Sequence, residues 1–485
     1  MLKLHALSAL LTVISAASAH DIRGAHEHFA HRRQALASTS GVSSITSTST
    51  AAAGTTSSSL AASTTISTSV TTSAATSAAS VAPADAGLSA SGVPALAQIT
   101  SGMPTGTTLP VSSTYAAGAS PSYYAGAPAL PTPFVVNVAD WPKQDVVPPT
   151  DSDEVLQWMT ELDGYDIPDF APTVDGTCAG DPAAALDAAN RGWWTCGGYS
   201  RDTDIVACPD KMTWGVSFDD GPGPYISISR LWKLLNFLSE KDIYATFFVV
   251  GSRVIQYPMV LVEEYMSGHE LSVHTWSHHA LTSLTNEQIV AELGWTRKAI
   301  KAVTGVTPTT MRAPFGDIDD RVRAICNAMG LTPIIWTTGP GGPFDTNDWR
   351  VAAGTVTGVQ QYATFENILG NASVMDTGFI VLQHDLYEIT VDLAIGYTLN
   401  TALSHNPPFT LEPIGQCMKI PTANMYLESD TNQTFVAEHT SHNSTNSSSN
   451  ASTASNTPSG AGHSLTLSTL TAVFAIGLAV ASAFF

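Results

Sequence analysis

Several catalytic signatures are missing from this 485-residue sequence. It contains no G-x-S-x-G element, which argues against a serine esterase. His269-Glu270 begins like an H-E-x-x-H helix, but the second histidine is missing, so the zincin metalloprotease class is excluded. Neither a P-loop nor a G-x-G-x-x-G run is present, and there is no P-C-x-x-C site of a zinc deaminase. These absences argue against a nucleotide-binding protein and against three common hydrolase classes.

Basic residues are also scarce. The chain has 20 Lys and Arg against 41 Asp and Glu, a formal net charge of −21. A nucleic-acid or anionic-membrane partner would require a basic face, so neither is predicted. Neutral or cationic ligands are favoured, although solubility alone also explains an acidic surface. No protein partner is predicted.

Both ends of the chain carry targeting patterns. An apolar run over 7–14 followed by Ala17-Ser18-Ala19 predicts a signal peptide over 1–19, and Arg32-Arg33 allows a propeptide to 33. The apolar tail over 463–485 lacks a basic flank and follows small residues. This pattern predicts a GPI signal with attachment at Ser459, and a retained membrane-spanning tail is the alternative. The expected location is secreted, GPI-anchored to the plasma membrane and in the cell wall.

The five cysteines lie between these signals, at Cys178, Cys196, Cys208, Cys326 and Cys417. None forms a C-x-x-C pair, so a thiolate zinc site is not indicated. In a secreted chain the odd count predicts two disulfides and one free thiol. Their pairing stays open, but Cys417 is placed to link the end of the core to the region 178–208.

The amino-acid composition divides the rest of the chain into four predicted segments. Residues 20–133 are rich in Ser, Thr and Ala and predict a disordered, O-glycosylated stalk, and 427–462 predicts a similar spacer. Residues 134–210 predict an extension that wraps the core, and 211–426 predict the catalytic domain. N-glycosylation sequons occur at Asn371, Asn432, Asn443, Asn446 and Asn450.

Short apolar runs alternate with amphipathic segments after Met212, which predicts parallel strands joined by helices and an α/β barrel. The predicted strands are Thr213–Phe218, Ala245–Val250, Glu270–His274, Thr309–Arg312, Pro333–Trp336 and Phe379–Gln383. The predicted helices are Ile228–Glu240, Arg253–Met266, Thr285–Val303, Asp319–Met329 and Thr390–Leu403.

Two adjacent acids, Asp219 and Asp220, come directly after the first predicted strand, where Gly and Pro residues force a turn. Neighbouring carboxylates repel each other unless a cation lies between them. His274 and His278 follow a later strand. One Asp and two His form a ligand set that leaves coordination positions open for water and substrate.

The sequence resembles the polysaccharide deacetylases with the NodB-type fold (carbohydrate esterase family four), and among them the fungal chitin deacetylases. The motifs that carry the resemblance are Ser217-Phe218-Asp219-Asp220, His274-Thr275-Trp276-Ser277-His278, Arg312-Ala313-Pro314-Phe315-Gly316, Asp345-Thr346-Asn347-Asp348-Trp349 and Leu382-Gln383-His384. They span about the middle two-fifths of the chain. The resemblance implies a distorted or incomplete (β/α) barrel of seven or fewer well-formed strands.

The resemblance also implies a metal site. Asp220, His274 and His278 are the expected ligands, with His279 a neighbour that could be mistaken for one. Zinc is the expected metal, and cobalt is expected to substitute. Asp219 is then the general base, with the Arg312 guanidinium as its partner.

The remaining motifs imply the acid and the substrate pocket. His384 is expected to protonate the leaving amine, with Asp345 orienting it and Asp348 the less favoured candidate. The Phe315 backbone amide is expected to hold the oxyanion; Tyr is usual there. Trp349 and Leu382 are expected to line the acetyl pocket. The stretch 337–344, which directly precedes the fourth motif, is longer than the family usually has.

The expected function is therefore hydrolysis of N-acetyl groups on cell-wall chitin, giving chitosan and acetate. Three alternatives stay open. An acetylxylan esterase or a peptidoglycan deacetylase would use the same metal site on another acyl sugar. A structural wall mannoprotein would bind polysaccharide without cleaving it, but such a protein would have no need of Asp219 or His384.

Overall fold

The structure is a computed structural model that describes residues 92–105, 115–132, 136–224 and 233–440. The predicted signal peptide, the GPI signal with Ser459, and the sequons at Asn443, Asn446 and Asn450 lie outside these ranges. Within them, no helix combines the length and the apolar character needed to cross a membrane.

Seven strands form one sheet in the order β5-β4-β3-β2-β1-β8, with β9 paired to β1, and every pair in this sheet is parallel. A separate antiparallel hairpin contains β6 and β7. The strands are β1 Thr213–Asp219, β2 Thr246–Val249, β3 Glu270–Val273, β4 Thr310–Met311, β5 Thr332–Pro333, β6 Thr338–Gly339, β7 Gly342–Pro343, β8 Phe379–Ile380 and β9 Thr410–Pro413.

Helices follow most of the strands. They are α1 Asp153–Met159, α2 Pro182–Leu186, α3 Ala188–Arg191, α4 Lys233–Glu240, α5 Gly251–Gln256, α6 Pro258–Met266, α7 Asn286–Thr304, α8 Asp320–Ala328, α9 Asp348–Ala352, α10 Gly358–Val374, α11 Glu388–Leu393, α12 Leu399–Leu403, α13 Ile414–Cys417 and α14 Gln433–Thr440. A π-helical turn, Ala394–Thr398, joins α11 to α12. Short 3₁₀ turns lie at Leu96–Gln98, Val138–Asp140, Thr160–Leu162, Trp194–Cys196, Leu281–Ser283, Pro314–Gly316 and Thr422–Met425.

The sheet curls into an incomplete (β/α) barrel, which confirms the predicted fold class. All seven residues of β1 are buried, as expected for a parallel strand covered on both faces. The chain beyond β5 contacts β8 at the other edge of the sheet, where the Thr337 amide donates to the Ile380 carbonyl at 3.0 Å. The residues of the longer stretch 337–344 form the β6–β7 hairpin, which leads the chain to Asp345.

Each of the six predicted strands overlaps an observed strand, but the helix predictions need correction. The predicted helix Arg253–Met266 is two helices, because Pro258 cannot donate a backbone hydrogen bond and begins α6 instead. The predicted helix Thr390–Leu403 is interrupted by the π turn. The 17-residue helix α10 was not predicted, although Thr357 and Gln360 form a capping box at its start.

Part of the predicted stalk packs against the core, so the expected disorder over 20–133 is wrong for the segments 92–105 and 115–132. Ile99 is fully buried, and Leu96 and Leu130 are nearly so. The Tyr265 hydroxyl donates to the Pro128 carbonyl at 2.8 Å. These segments have few apolar side chains, but those side chains pack against the core and are buried there.

The predicted spacer over 427–462 likewise begins too early. Helix α14 lies within it, and the His439 side chain is buried next to Gly330. Glu428 accepts hydrogen bonds from the amide and hydroxyl of Thr307 at 2.6 and 2.8 Å. Residues 427–440 therefore belong to the folded unit.

Two disulfides and one buried free thiol, Cys326, confirm the count predicted from five cysteines. Cys178 pairs with Cys196, and Cys208 pairs with Cys417. The second bond links the residues before β1 to the end of the fold, as the position of Cys417 had indicated.

Candidate active site

The carboxyl ends of β1 and β3 bring an acid and two imidazoles together. Asp220 follows β1 with φ of 80°, which turns its carboxylate toward the loop after β3. Its Oδ1 lies 3.3 Å from His274 Nε2 and 2.9 Å from His278 Nε2. All three side chains are buried, and one ligand atom from each lies within 4.8 Å of the others. The predicted ligand residues are thus neighbours in the structure.

The donor chemistry of this triad fits a divalent metal ion. His274 Nδ1 lies 2.8 Å from the Arg312 carbonyl, which can only accept, so Nδ1 carries the proton and Nε2 keeps its lone pair. Burial lowers the pKa of His278 to about 3, which keeps that ring in the neutral form that binds metals.

Asp219 ends β1 beside the triad and contacts a buried guanidinium. Arg312 Nη1 donates to Asp219 Oδ1 at 2.5 Å and to Ser217 Oγ at 3.1 Å. The guanidinium carbon lies 3.9 Å from the centre of the Phe248 ring, a cation–π contact. The other oxygen, Asp219 Oδ2, is 4.0 Å from His274 Nε2. Arg312 therefore holds one oxygen of Asp219 and leaves the other beside the triad.

His384 lies across from Asp219, because the chain after β8 continues in parallel with the end of β1. The Asp219 amide donates to the Gln383 carbonyl at 3.0 Å, and the Asp385 amide donates to the Asp219 carbonyl at 3.2 Å. These two backbone contacts place His384 next to Asp219, beyond the end of the strand that neighbours β1.

The predicted partner of His384 is wrong. His384 Nδ1 lies 2.7 Å from Asp348 Oδ1, and its backbone amide donates to Asp348 Oδ2 at 2.7 Å. Asp345 instead accepts hydrogen bonds from the Asn347 amide and from Trp349 Nε1, at 2.8 and 3.2 Å. The reason is the turn at Asn347, whose φ of 60° reverses the chain and places Asp348 at the start of α9.

The Asp348 contact governs the charge of His384. Burial disfavours the protonated imidazole, but Asp348 outweighs burial and raises the pKa of His384 to about 9. His384 therefore carries a proton at neutral pH. The neighbouring residue Asp385 is fully buried. Burial is the main cause that raises the pKa of Asp385 well above its usual range, and the negative charges of Asp220 and Asp219 add to it.

The three residues predicted to contact substrate lie around this centre. Phe315, with φ of 61°, places its ring 4.8 Å from that of His278. Trp349 follows Asp348 in α9, and Leu382 lies two residues before His384. The role of these residues in holding an acetyl group stays a prediction.

Glu292 is a residue of the site that the sequence reasoning missed. It lies in α7 beneath the loop that joins the two ligand histidines, and it accepts hydrogen bonds from the amides of Trp276 and Ser277. Burial raises the pKa of Glu292 to about 7, against the donors from Ser277 and Trp276. An acid within the apolar run Ile289–Leu293 was the signal that could have revealed it, because a charged residue on a buried helix face requires a partner.

The site combines a triad with the donor set of a metal site, a carboxylate held by a guanidinium, and a protonated histidine held by a second carboxylate. Such a set can accept a proton from water and donate one to a leaving group. Its position at the carboxyl edge of a parallel barrel is where barrel enzymes hold their catalytic groups. The fold and the site define the class of this protein as a barrel hydrolase.

Comparison with known proteins identifies the family. Residues 207–334 match the model described as polysaccharide deacetylase. Chitin deacetylase 1 of Cryptococcus neoformans var. grubii is 52% identical over 353 residues, which are 72% of this chain and 73% of that protein. Chitin deacetylase of Amylomyces rouxii is 34% identical over 278 residues, covering 54% of this chain and 63% of that protein. The chain belongs to the polysaccharide deacetylase family.

A solved structure gives a partial alignment. The chitin deacetylase of Colletotrichum lindemuthianum aligns over 47% of this chain and 97% of that chain, with 22% identity and a TM-score of 0.39.

Proposed function

We propose that this protein is a chitin deacetylase, which hydrolyses the N-acetyl groups of N-acetylglucosamine units and leaves chitosan and acetate. The observation that supports this substrate is the 52% identity to Chitin deacetylase 1 of Cryptococcus neoformans var. grubii over 73% of that protein's length. The geometry supports the reaction type, since hydrolysis of an amide needs a base, an electrophile and an acid.

Asp220, His274 and His278 hold the metal, with zinc the first choice and cobalt able to replace it. When bound there, the ion supplies Lewis-acid chemistry that lowers the pKa of water and polarises the acetyl carbonyl. The buried triad contributes one negative charge and two neutral imidazoles, so a divalent ion leaves a net positive centre.

Asp219 accepts the proton of the attacking water as the new carbon–oxygen bond forms. The hydrogen bond from Arg312 fixes one carboxylate oxygen, so the other faces the reacting centre. The Phe315 backbone amide is the proposed donor to the oxyanion. His384 gives its proton to the amide nitrogen as the carbon–nitrogen bond breaks, which releases an amine and acetate. Asp348, which keeps His384 protonated, thereby replaces Asp345 in this role.

The proposed site of action is outside the cell. We assign residues 1–19 to a signal peptide and 463–485 to a GPI signal, with N-linked glycans at the sequons. Two of those asparagines, Asn371 and Asn432, lie within the described residues, and both are at least partly exposed. The two disulfides suit an oxidising compartment.

The anchor is tested by treating membranes with a GPI-specific phospholipase and identifying the released protein by mass spectrometry. Release of the protein from the membranes without that treatment would argue against the anchor.

The decisive experiment measures acetate released by the protein made in a secretory host, with chitin oligomers and acetylxylan offered separately. We expect release from chitin oligomers, loss of it with a chelator, and its return with zinc. Release from acetylxylan alone would overturn the substrate assignment. No release from either substrate by folded, metal-loaded protein would favour the binding-protein alternative.

The assignment of the base is tested with Asp219→Asn. The variant loses the proton acceptor while keeping the metal triad, so we expect kcat to fall about 10²- to 10⁴-fold with bound zinc unchanged. The matched control is Asp376→Asn, which neutralises a fully exposed carboxylate. Acetate release at the wild-type rate by Asp219→Asn would contradict the assignment.

A further inference from the structure

A buried carboxylate that the reaction does not use holds the loop between the two ligand histidines. Glu292 Oε2 accepts the Trp276 amide at 2.7 Å and the Ser277 amide at 2.8 Å. Its Oε1 accepts the Ser277 hydroxyl. That hydroxyl has one proton, so it accepts in turn from His279 Nδ1, 2.8 Å away. Glu292 itself is fully buried.

The loop needs this anion because of its backbone conformation. Thr275 and His278 have φ of 64° and 59°, a left-handed region that non-glycine residues rarely adopt. Between them, the amides of Trp276 and Ser277 point to one place, a concave arrangement that binds anions. Glu292 fills that position. His274 and His278 lie at the two ends of the same loop, so its shape sets the distance between the ligand nitrogens.

The other side of the loop is also fixed. At the start of α5 the amides of Gly251 and Ser252 donate to the carbonyls of Thr275 and Trp276, at 2.9 and 3.1 Å. The Trp276 ring stacks on Trp141 with centres 6.1 Å apart. The loop therefore lies between α5 and Glu292, and it cannot move to meet a shortened side chain at position 292 without losing these contacts.

Helix α7 keeps Glu292 itself in place. The helix runs for 19 residues from a capping box at Thr285, and the residues on either side of Glu292 are completely buried. Because the helix holds the Glu292 side chain in one position, the loop amides that bind it are held in one position as well.

We propose that Glu292 is a positioning residue that sets the metal affinity of the Asp220, His274 and His278 triad. This inference rests on the metal site of the proposed function. Replacing Glu292 leaves two amides and a hydroxyl without their acceptor. The loop then relaxes, and the two histidines no longer hold the spacing at which both could bind one ion.

The test is zinc affinity of the full chain, stripped with a chelator and titrated against a competing zinc indicator. Outer contacts of this kind typically change metal affinity 10- to 100-fold. We therefore expect Glu292→Gln, which keeps one acceptor oxygen, to weaken zinc binding about 10-fold and Glu292→Ala about 100-fold. Ser277→Ala removes one contact from the loop side and serves as a second variant if changes at position 292 impair folding.

The matched control is Glu264→Gln. Glu264 is another fully buried acid, on the neighbouring helix α6, and neither of its oxygens has a hydrogen-bond partner among the described residues. We expect its substitution to leave zinc affinity at the wild-type value. The absorption bands of the cobalt-loaded protein give a second readout, since a displaced histidine changes them in Glu292→Gln and leaves them unchanged in Glu264→Gln.

Thermal unfolding of the metal-free proteins separates positioning from a structural role. If Glu292→Gln and Ser277→Ala unfold at lower temperature but bind zinc with wild-type affinity, the inference is overturned. If zinc affinity falls as expected while the wild type releases no acetate from chitin oligomers, the positioning role holds and the proposed substrate fails. Failure of the wild type to bind zinc would overturn both.

Discussion

Asp219 and His384 lie at adjacent strand ends, and each contacts a partner of opposite charge. Arg312 binds Asp219, the proposed base, through a short hydrogen bond, and Asp348 binds His384, the proposed acid, through another. These charge-assisted contacts fix the orientation of the two side chains as well as their charge. In the proposed reaction, Asp219 can therefore accept a proton while His384 still holds one.

Replacing Asp348 with Asn tests the charge of His384. Asp348 raises the pKa of His384, to about 9, against the effect of burial. Its removal lowers that pKa, so the protonated acid is lost at lower pH. We expect the alkaline limb of kcat, measured against pH with chitin oligomers, to move down by about 1–3 pH units.

The matched comparison is Asp345→Asn. Asp345 contacts Trp349 and Asn347 rather than His384, so this variant should leave the alkaline limb at its wild-type position. A limb that moves in Asp345→Asn and stays fixed in Asp348→Asn would restore the assignment that the structure corrects.

The segment 92–105 shows how a weakly apolar element can matter to the site. Leu96 and Ile99 pack against Val351, Ile389 and Leu393, in a cluster separate from the main core. The Gly358 amide donates to the Ile99 carbonyl at 3.1 Å. Val351 belongs to α9, which carries Asp348, and Ile389 belongs to α11, which follows His384. The segment therefore supports both helices next to His384, the proposed acid.

Ile99→Asp tests this support. A carboxylate placed in the apolar cluster has no partner there, so we expect the segment to detach. Amide hydrogen exchange over 92–105 and over α9 should then become at least about 10-fold faster, equivalent to about 1.4 kcal/mol of lost protection. Val138→Asp, at a side chain that is 71% exposed, is the control that should leave exchange unchanged. Unchanged exchange over α9 in Ile99→Asp would argue that the segment does not support this helix.

At the scale of the whole molecule, the two disulfides close loops of very different length. Cys208 and Cys417 are 209 residues apart and join the start of the catalytic barrel to its end. Cys178 and Cys196 are 18 residues apart and lie within the extension. A cross-link restricts the unfolded chain more when the closed loop is longer.

We therefore expect the Cys208→Ser, Cys417→Ser double variant to lose more stability than Cys178→Ser, Cys196→Ser. Loop entropy gives about 5 kcal/mol for the long loop against about 3 kcal/mol for the short one. Urea unfolding of the two double variants, followed by fluorescence, measures the difference. Equal losses would indicate that the contacts around each bond, rather than loop closure, dominate its contribution.

The sequence by itself determined the barrel class, the six predicted strands and which acid and two histidines lie together in the structure. Strand periodicity and the Gly and Pro residues after Asp220 are local signals. They predict the structure correctly because a short apolar run that ends at Gly and Pro has few conformations other than a buried strand followed by a turn. The order of the motifs then placed Asp219, Arg312 and His384 at or just beyond the carboxyl ends of strands of one parallel sheet. The count of disulfides also followed from composition.

Only the tertiary structure decided which carboxylate holds His384, what lies beneath the ligand loop, and where the folded unit begins. Asp345 and Asp348 are three residues apart, and the choice between them depends on the left-handed turn at Asn347. Glu292 and Ile99 acquire their roles from residues distant in the chain. Local composition cannot report such contacts, because the surface that buries a side chain exists only once the rest of the barrel has formed.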